Sequence, residues 1–203
     1  IFPWREDRAT KYQQIVSEIL LQRTKAETVA KYYDTFFSKF PDWNALANAS
    51  LEELEEIMKP LGLYRHRARR LYKLGEDIRR RGGRIPGNEN ELRDSGFIGL
   101  YVTNAFELFI LRNRKPLLDV NMSRLLKRYF KPGDFIDVRH DKEIQELAND
   151  IIEVRRCKEL NWAILDYAAL VCKTRNPLCG ECVLNKHCKY YGLSQGDVTE
   201  ESE

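Results

Sequence analysis

The sequence predicts an all-α protein, and three features predict it. Apolar residues recur at helical spacing along most of the 203 residues, strand-like alternation is scarce, and the apolar stripes are bracketed by capping residues and Pro/Gly breakers. Ile15, Val16, Ile19 and Leu20 form a first stripe. Val29, Tyr33, Phe36, Phe37 and Phe40 form the next, which Pro41 stops because it has no N–H and blocks the preceding turn. Ser50 and Glu53 have capping-box spacing and open a helix through Met58, closed by Pro60 and Gly62. A basic helix is predicted from about His66 to Arg81, ended by Gly82-Gly83. A short helix near Asn90–Arg93, a turn at Ser95–Gly99 and a longer apolar helix from Tyr101 to Leu111 follow. Leu118 to Tyr129 reads as helix, Lys131-Pro-Gly breaks it, and Asp141–Glu153 and Leu160–Val171 read as helices too. No period of 20–50 residues recurs, which argues against a solenoid. The acidic, polar end from Gly196 to Glu203 is expected to fray.

The chain is long enough for one large domain or for two small helical lobes sharing a cleft. With 43% hydrophobic and 32% charged residues it fits a soluble globular protein rather than a disordered one. Its longest apolar run, Ala163 to Cys172, is interrupted by Asp166 and is too short to cross a bilayer, so no membrane partner is expected. Ile1-Phe-Pro-Trp-Arg lacks the basic-then-apolar profile of a signal peptide, which leads us to expect a cytoplasmic, nucleoid-associated setting. Net charge is only +3, but its distribution is uneven. Between Arg65 and Arg84 nine Lys/Arg face Glu76 and Asp77. That excess suits either a solvated helix face or a polyanion, whose counterions basic side chains displace.

Four of the five cysteines fall in one C-terminal block, Cys172, Cys179, Cys182 and Cys188, spaced C-x6-C-x2-C-x5-C. Clustering at the end of a large helical body points to a metal centre rather than a disulfide scaffold. Zinc and an iron–sulfur cluster both remain open on ligand chemistry. Zinc ribbons usually pair two C-x2-C knuckles and this block has one, while its spacing also differs from the common ferredoxin patterns. Cys157 stands apart and reads as a small buried hydrophobe. His66, His140 and His187 have no ligand-like spacing.

The cysteine spacing closely resembles the 4Fe–4S loop of the helix-hairpin-helix glycosylases related to endonuclease III and MutY. That resemblance implies a structural 4Fe–4S cluster held by residues 172–188, with Lys173, Arg175, Lys186 and Lys189 available to DNA phosphates. It also implies two helical lobes around a DNA-binding cleft. One lobe would span about 24–130, with the hairpin at 90–111; the other would join about 1–23 to 131–203, the whole forming a single glycosylase unit.

Two carboxylates then gain meaning. Asp119, in Leu118-Asp-Val-Asn121, opens a helix, where an N-cap is the ordinary role of an aspartate. The segment resembles the family's D-x-N, which implies that Asp119 stabilises positive charge on a sugar as its base departs and that Asn121 lies at the DNA. Both roles are compatible, since a helix N-terminus favours an ionised carboxylate. Glu18, in Ser17-Glu-Ile-Leu-Leu-Gln-Arg-Thr24, lies on a half-apolar helix and reads on its own as an exposed charge. The segment resembles the family's S/T-E-x-x-L-x-x-T, in which glutamate acts on the base or on water, and partial burial would raise its pKa for that work. In the family this corner supplies a residue that enters the duplex and fills the space left by the extruded nucleotide, a role the resemblance implies for Gln22 and Arg23.

The hairpin departs from the pattern. The family shows L-P-G-V-G, whereas Ser95-Gly-Phe-Ile-Gly-Leu-Tyr101 aligns Gly99 with the second glycine and Phe97 with the first, with Gly96 beside it. Gly96 and Gly99 are the expected backbone contacts to a phosphate. Bifunctional members carry lysine two residues after that second glycine, whose amine attacks the sugar. Tyr101 stands there instead, which implies a monofunctional enzyme with Tyr101 facing the base.

Phe2-Pro-Trp-Arg5 and the glutamate segment also resemble adenine glycosylases, but those read D-G-N where Val120 stands here. Gln22-Arg23 sits between the Gln-Gln of those adenine glycosylases and the Arg-Arg of thymine glycosylases of the Mig type, while its arginine, Gly82-Gly-Arg-Ile-Pro86 and the Cys157 to Asn161 pair resemble the Mig type. The expected activity is hydrolytic removal of thymine or uracil opposite guanine from double-stranded DNA, by a monomer. Adenine removal opposite guanine or oxidised guanine is one alternative. A non-catalytic, cluster-containing DNA-binding module is another, favoured by the altered hairpin and opposed by the presence of both carboxylates. A zinc-stabilised helical interaction domain is a third.

Overall fold

A computed structural model describes residues 2–94, 99–133 and 137–195. Every regular element among them is helical, and no described helix is long and apolar enough to cross a membrane. Backbone contacts divide the chain into two compact units, Ile1–Asn113 and Arg114–Glu203.

In the first unit, α1 (Lys11–Leu21) opens on a capping box in which Thr10 and Gln13 satisfy each other's backbone N–H. It buries Tyr12, Ile15, Val16, Ile19 and Leu20, and with them Ser17 and Glu18. α2 (Ala26–Lys39) sets Val29, Tyr33, Phe36 and Phe37 into the same core, where Phe36 packs edge-on to Phe37 at 5.2 Å. Trp4 also enters this core, 1% exposed. α3 (Trp43–Ala47) and α4 (Leu51–Met58) are capped by Asp42 and by the Ser50–Glu53 box. Both pack on α5 (Tyr64–Arg80), whose Gly75 lies so close to α3 that an added Cβ would sit 2.8 Å from the Leu46 carbonyl oxygen.

α5 ends as predicted: Gly82 and Gly83 take φ of +68° and +84°, and the Gly83 N–H bonds back to the Ile78 carbonyl at 2.9 Å. The buried Asp77 accepts from Arg80 and Arg81, and Arg81 reaches the Glu91 backbone oxygen, tying α6 (Glu89–Asp94) to the end of α5. The expected single helix from Tyr101 to Leu111 has two parts. α7 (Leu100–Phe106) passes into a π-helical segment, Glu107–Leu111, which ends where Arg112 adopts φ +61°. Hydrophobic periodicity does not register the one extra residue per turn of such a segment.

The second unit holds α8 (Val120–Phe130), α9 (Lys142–Ile151), α10 (Cys157–Leu170) and α11 (Lys189–Gln195). Leu118, Met122, Leu126, Ile144, Ala148 and Ala168 make its core. Each large apolar side chain removed from water there contributes roughly 1.5–3 kcal/mol. Lys127 of α8 pairs with Asp141, the N-cap of α9, at 2.5 Å. α8 begins at Val120 rather than Leu118 because Asp119 is extended and caps it; α10 begins earlier than expected, at Cys157. Cys157 is buried, as expected, and the fully buried Asn161 explains the pair. Its Oδ1 accepts from the Leu117 N–H at 2.6 Å while its Nδ2 donates to the Cys157 carbonyl at 3.0 Å.

Candidate active site and cysteine pocket

Glu18 is not the exposed charge that its position on a half-apolar helix allows. It is 3% exposed, among the apolar residues of α1. A carboxylate taken out of water is costly unless hydrogen-bonded, and Tyr101 on α7 supplies one such bond, its hydroxyl donating to Glu18 Oε2 at 2.6 Å. Two residues 83 apart in sequence thus form one acid–hydroxyl pair, able to hold or pass a proton.

Gln22 ends α1, and the exposed Arg23 after it adopts φ +59°. A second turn carries Leu63, 54% exposed and at φ +46°. Left-handed backbone at a residue with a Cβ costs on the order of 1 kcal/mol or more, so both turns need outside support. Arg67 provides it. Its guanidinium donates to the carbonyls of Leu61 at 2.8 Å, Gly62 at 2.6 Å and Gln22. Thr24 Oγ1 adds a bond to the Leu61 carbonyl at 3.3 Å. Arg67 is 4% exposed, so it belongs neither to a solvated basic face nor to a phosphate-binding one. Burial pushes its pKa down, with Arg70 adding to the effect. Arg70 donates to Oε1 of Gln22. Gln22, Arg23 and Leu63 border an open concavity of about 600 Å³ whose other walls include His66, Arg70 and Lys73.

In the second unit Asp119 caps α8, its Oδ1 accepting from the N–H groups of Asn121 and Met122 at 2.8 Å each, while Asn121 Nδ2 donates to Oδ2 at 2.7 Å. The helix N-terminus, expected to favour the ionised form, is opposed by burial. Burial raises the Asp119 pKa and outweighs the opposing hydrogen bonds from Met122 and Asn121. Asn121 is held from its other side by Arg124, whose Nη1 lies 3.1 Å from Asn121 Oδ1. Arg124 also donates to the carbonyls of Cys172 and Ala168, both at 2.8 Å. A hydrogen-bond path therefore runs from Asp119 to the backbone of the first cysteine of the block.

All four cysteines of that block line one pocket without forming a disulfide, with Arg128, Tyr190 and Tyr191 around them. Arg128 Nη1 points to Cys172 Sγ at 3.6 Å and donates to the Lys173 carbonyl at 2.7 Å, its guanidinium stacked 4.8 Å above the Tyr190 ring. Tyr167 donates to Cys182 Sγ at 3.1 Å. Donors aimed at sulfur suit thiolates. Burial, and then the nearby Cys188, Cys172 and Cys182, push the Cys179 thiol pKa up, as expected where four potential anions share one pocket. Among the described residues no group of three or more His, Cys, Asp or Glu is arranged around a single metal ion. The donor set itself fits a thiolate-ligated group.

Lys173 and Arg175 are exposed beside this pocket. Gly99 caps α7 with an ordinary φ of −76°. Gly96 and Phe97, and with them the core of the expected hairpin, lie outside the described residues. Sequence reasoning missed the arginines that brace the turns of the first unit and, separately, the Asp119 and cysteine segments of the second. Their spacing was the available signal: Arg67 and Arg70, and Arg124 and Arg128, share helix faces at i+3 and i+4.

Residues 16–162 match the model of the HhH-GPD superfamily of base excision DNA repair proteins, a span containing Glu18, Tyr101 and Asp119. The chain belongs to that superfamily. A thymine-DNA glycosylase of Aeropyrum pernix is 35% identical to this HhH-GPD protein, over 93% of this chain and 86% of its own length. A thymine/uracil-DNA glycosylase of Methanothermobacter thermautotrophicus is 32% identical over 94% and 86%. The solved structure of a thermostable thymine-DNA glycosylase superposes with a TM-score of 0.84 at 32% identity, covering 95% of this chain and 89% of that one.

Proposed function

We propose that this HhH-GPD protein is a monofunctional DNA glycosylase that hydrolyses the N-glycosidic bond of thymine or uracil opposite guanine in double-stranded DNA. The observation that carries this reading is the buried Glu18 hydrogen-bonded to Tyr101, in a chain whose relatives act on thymine and uracil. Glu18 acts on the departing base or on the attacking water. Asp119, held by its cap bonds, stabilises the positive charge that grows on the sugar. Tyr101 is a phenol where a bifunctional enzyme needs an amine, so an intact abasic site is the product. Gln22 and Arg23 occupy the space of the extruded nucleotide, and Lys173 and Arg175 meet phosphates.

We further propose that Cys172, Cys179, Cys182 and Cys188 hold a 4Fe–4S cluster, whose role is to fold the loop that carries those basic residues. The four thiols in one pocket and the donors from Arg128 and Tyr167 support it. A brown protein with about four iron atoms per chain is expected, and a colourless one with a single zinc would refute it. The lobe boundaries expected from the resemblance give way to the two units, since Trp4 and α1 belong to the core of the first unit rather than to a unit with 131–203; the monomeric state and the cytoplasmic, nucleoid-associated setting belong to the same reading.

Single-turnover assays on duplexes containing T·G, U·G, A·G and adenine opposite oxidised guanine test the function. Strand breaks are expected at T·G and U·G only after hot alkali. Cleavage confined to adenine opposite oxidised guanine overturns the substrate, breaks without alkali overturn the monofunctional assignment, and no breaks anywhere favour a binding module.

A further inference from the structure

The Gln22 side chain is the part of the concavity whose chemistry the surrounding residues decide. An amide has an accepting end and a donating end, and a glutamine free to rotate offers either. Here Arg70 holds Oε1, and a guanidinium carries donors only, so the reversed amide would set its NH2 group against Arg70. Arg67 meanwhile fixes the backbone carbonyl of the same residue from a buried position, leaving the side-chain torsions as the only remaining freedom. The end that Gln22 can offer to a ligand is therefore its NH2 group, a donor.

We propose that Arg70, braced by Arg67, is a positioning residue that fixes Gln22 as a hydrogen-bond donor to O6 of the base left unpaired by extrusion, so that guanine is accepted and adenine refused. This rests on the glycosylase reading, in which Gln22 enters the duplex. Guanine presents an acceptor at position 6 and adenine an amino group, so a fixed donor matches the first and opposes the second. An amide released from Arg70 turns over and accepts from the adenine amino group. Losing the lock thus raises activity opposite adenine, an effect that general damage to the fold does not produce. Arg70 is exposed, so the lock is of moderate strength, and a change of about tenfold in the opposing-base ratio is expected, the low end of the discrimination that a base contact provides.

The test is single-turnover uracil release from duplexes with guanine, inosine, adenine or 2-aminopurine opposite, using the full chain, Arg70→Met and Arg70→Lys. Inosine keeps O6 and should behave like guanine; 2-aminopurine has only a hydrogen at position 6, neither matching nor opposing the donor, and should fall between guanine and adenine. Arg70→Met should lower the guanine-over-adenine rate ratio about tenfold. Arg70→Lys keeps a donor toward Gln22 and should preserve the ratio. Differences in base-pair stability cancel when enzymes are compared on the same duplexes, and a lost phosphate contact weakens all duplexes alike. An unchanged ratio in Arg70→Met, or inosine behaving like adenine, overturns the proposal while leaving the glycosylase reading intact. A wild-type chain that releases uracil from no duplex overturns both.

Discussion

The Tyr101 hydroxyl donates to Glu18 Oε2 across 2.6 Å, joining α7 to a carboxylate on the buried side of α1. Replacing Tyr101 by Phe keeps the ring and removes the donor from a carboxylate that has almost no water. A loss of about 1–3 kcal/mol in unfolding free energy is expected, read by urea denaturation. The loss should shrink when Glu18 is already Gln, because the two groups act as a pair. Equal losses in both backgrounds would mean that the hydroxyl does not act through Glu18.

Asp119 makes a prediction that depends on pH. Its folded-state pKa is raised above the ordinary 3.8, chiefly by burial. Folding therefore takes up a proton between that value and the folded one. The carboxyl weakens the fold progressively as pH rises through the window, and by a constant amount above it. Asp119→Asn keeps an oxygen that can accept from the Asn121 and Met122 N–H groups but carries no charge. The new NH2 group opposes Asn121 Nδ2, which donates to Oδ2 in the wild type, so the expected signature is relative: Asp119→Asn should gain on the wild type in melting temperature as pH rises from 3.8 toward neutrality. Base release should be abolished while duplex affinity is kept. Full activity, or a melting difference independent of pH, would contradict the role assigned.

Arg23 holds a left-handed backbone that glycine adopts without strain. Arg23→Gly should leave the melting temperature unchanged or raise it slightly, because the relieved strain offsets the added freedom of the unfolded chain. Duplex binding should weaken at the same time. A clear drop in melting temperature would show that the side chain supports the fold rather than the ligand.

Gly75 tests the packing of α3 on α5. By helix propensity alone, Gly→Ala inside a helix gains about 1 kcal/mol. At this position the new Cβ would lie 2.8 Å from the Leu46 carbonyl oxygen and 3.1 Å from the Ala47 Cα, both backbone atoms. The two helices would have to separate, and a net loss of about 1–3 kcal/mol is expected on thermal or urea unfolding. A stabilised Gly75→Ala would show that α3 yields easily.

Local rules made much of this protein legible in its sequence. The apolar stripes of α1 and α2, the Ser50–Glu53 box, the Gly82-Gly83 stop and the Asp119 cap each depend on residues within one or two turns, and the folded chain realises them. The four-cysteine block was equally readable, since its thiols are close in sequence and share one pocket.

What no local rule contains is the partner that a polar group finds after burial. Glu18 looked like a solvated charge until α7 brought Tyr101 to it, and Arg67 looked like one more cation in a basic run until two turns closed over its guanidinium. The sequence determined the helices, their caps and the inventory of reactive groups, because those follow from neighbouring residues. Tertiary structure alone decided which charges lost their water and which donors replaced it, because desolvation belongs to the packed chain and not to any segment of it.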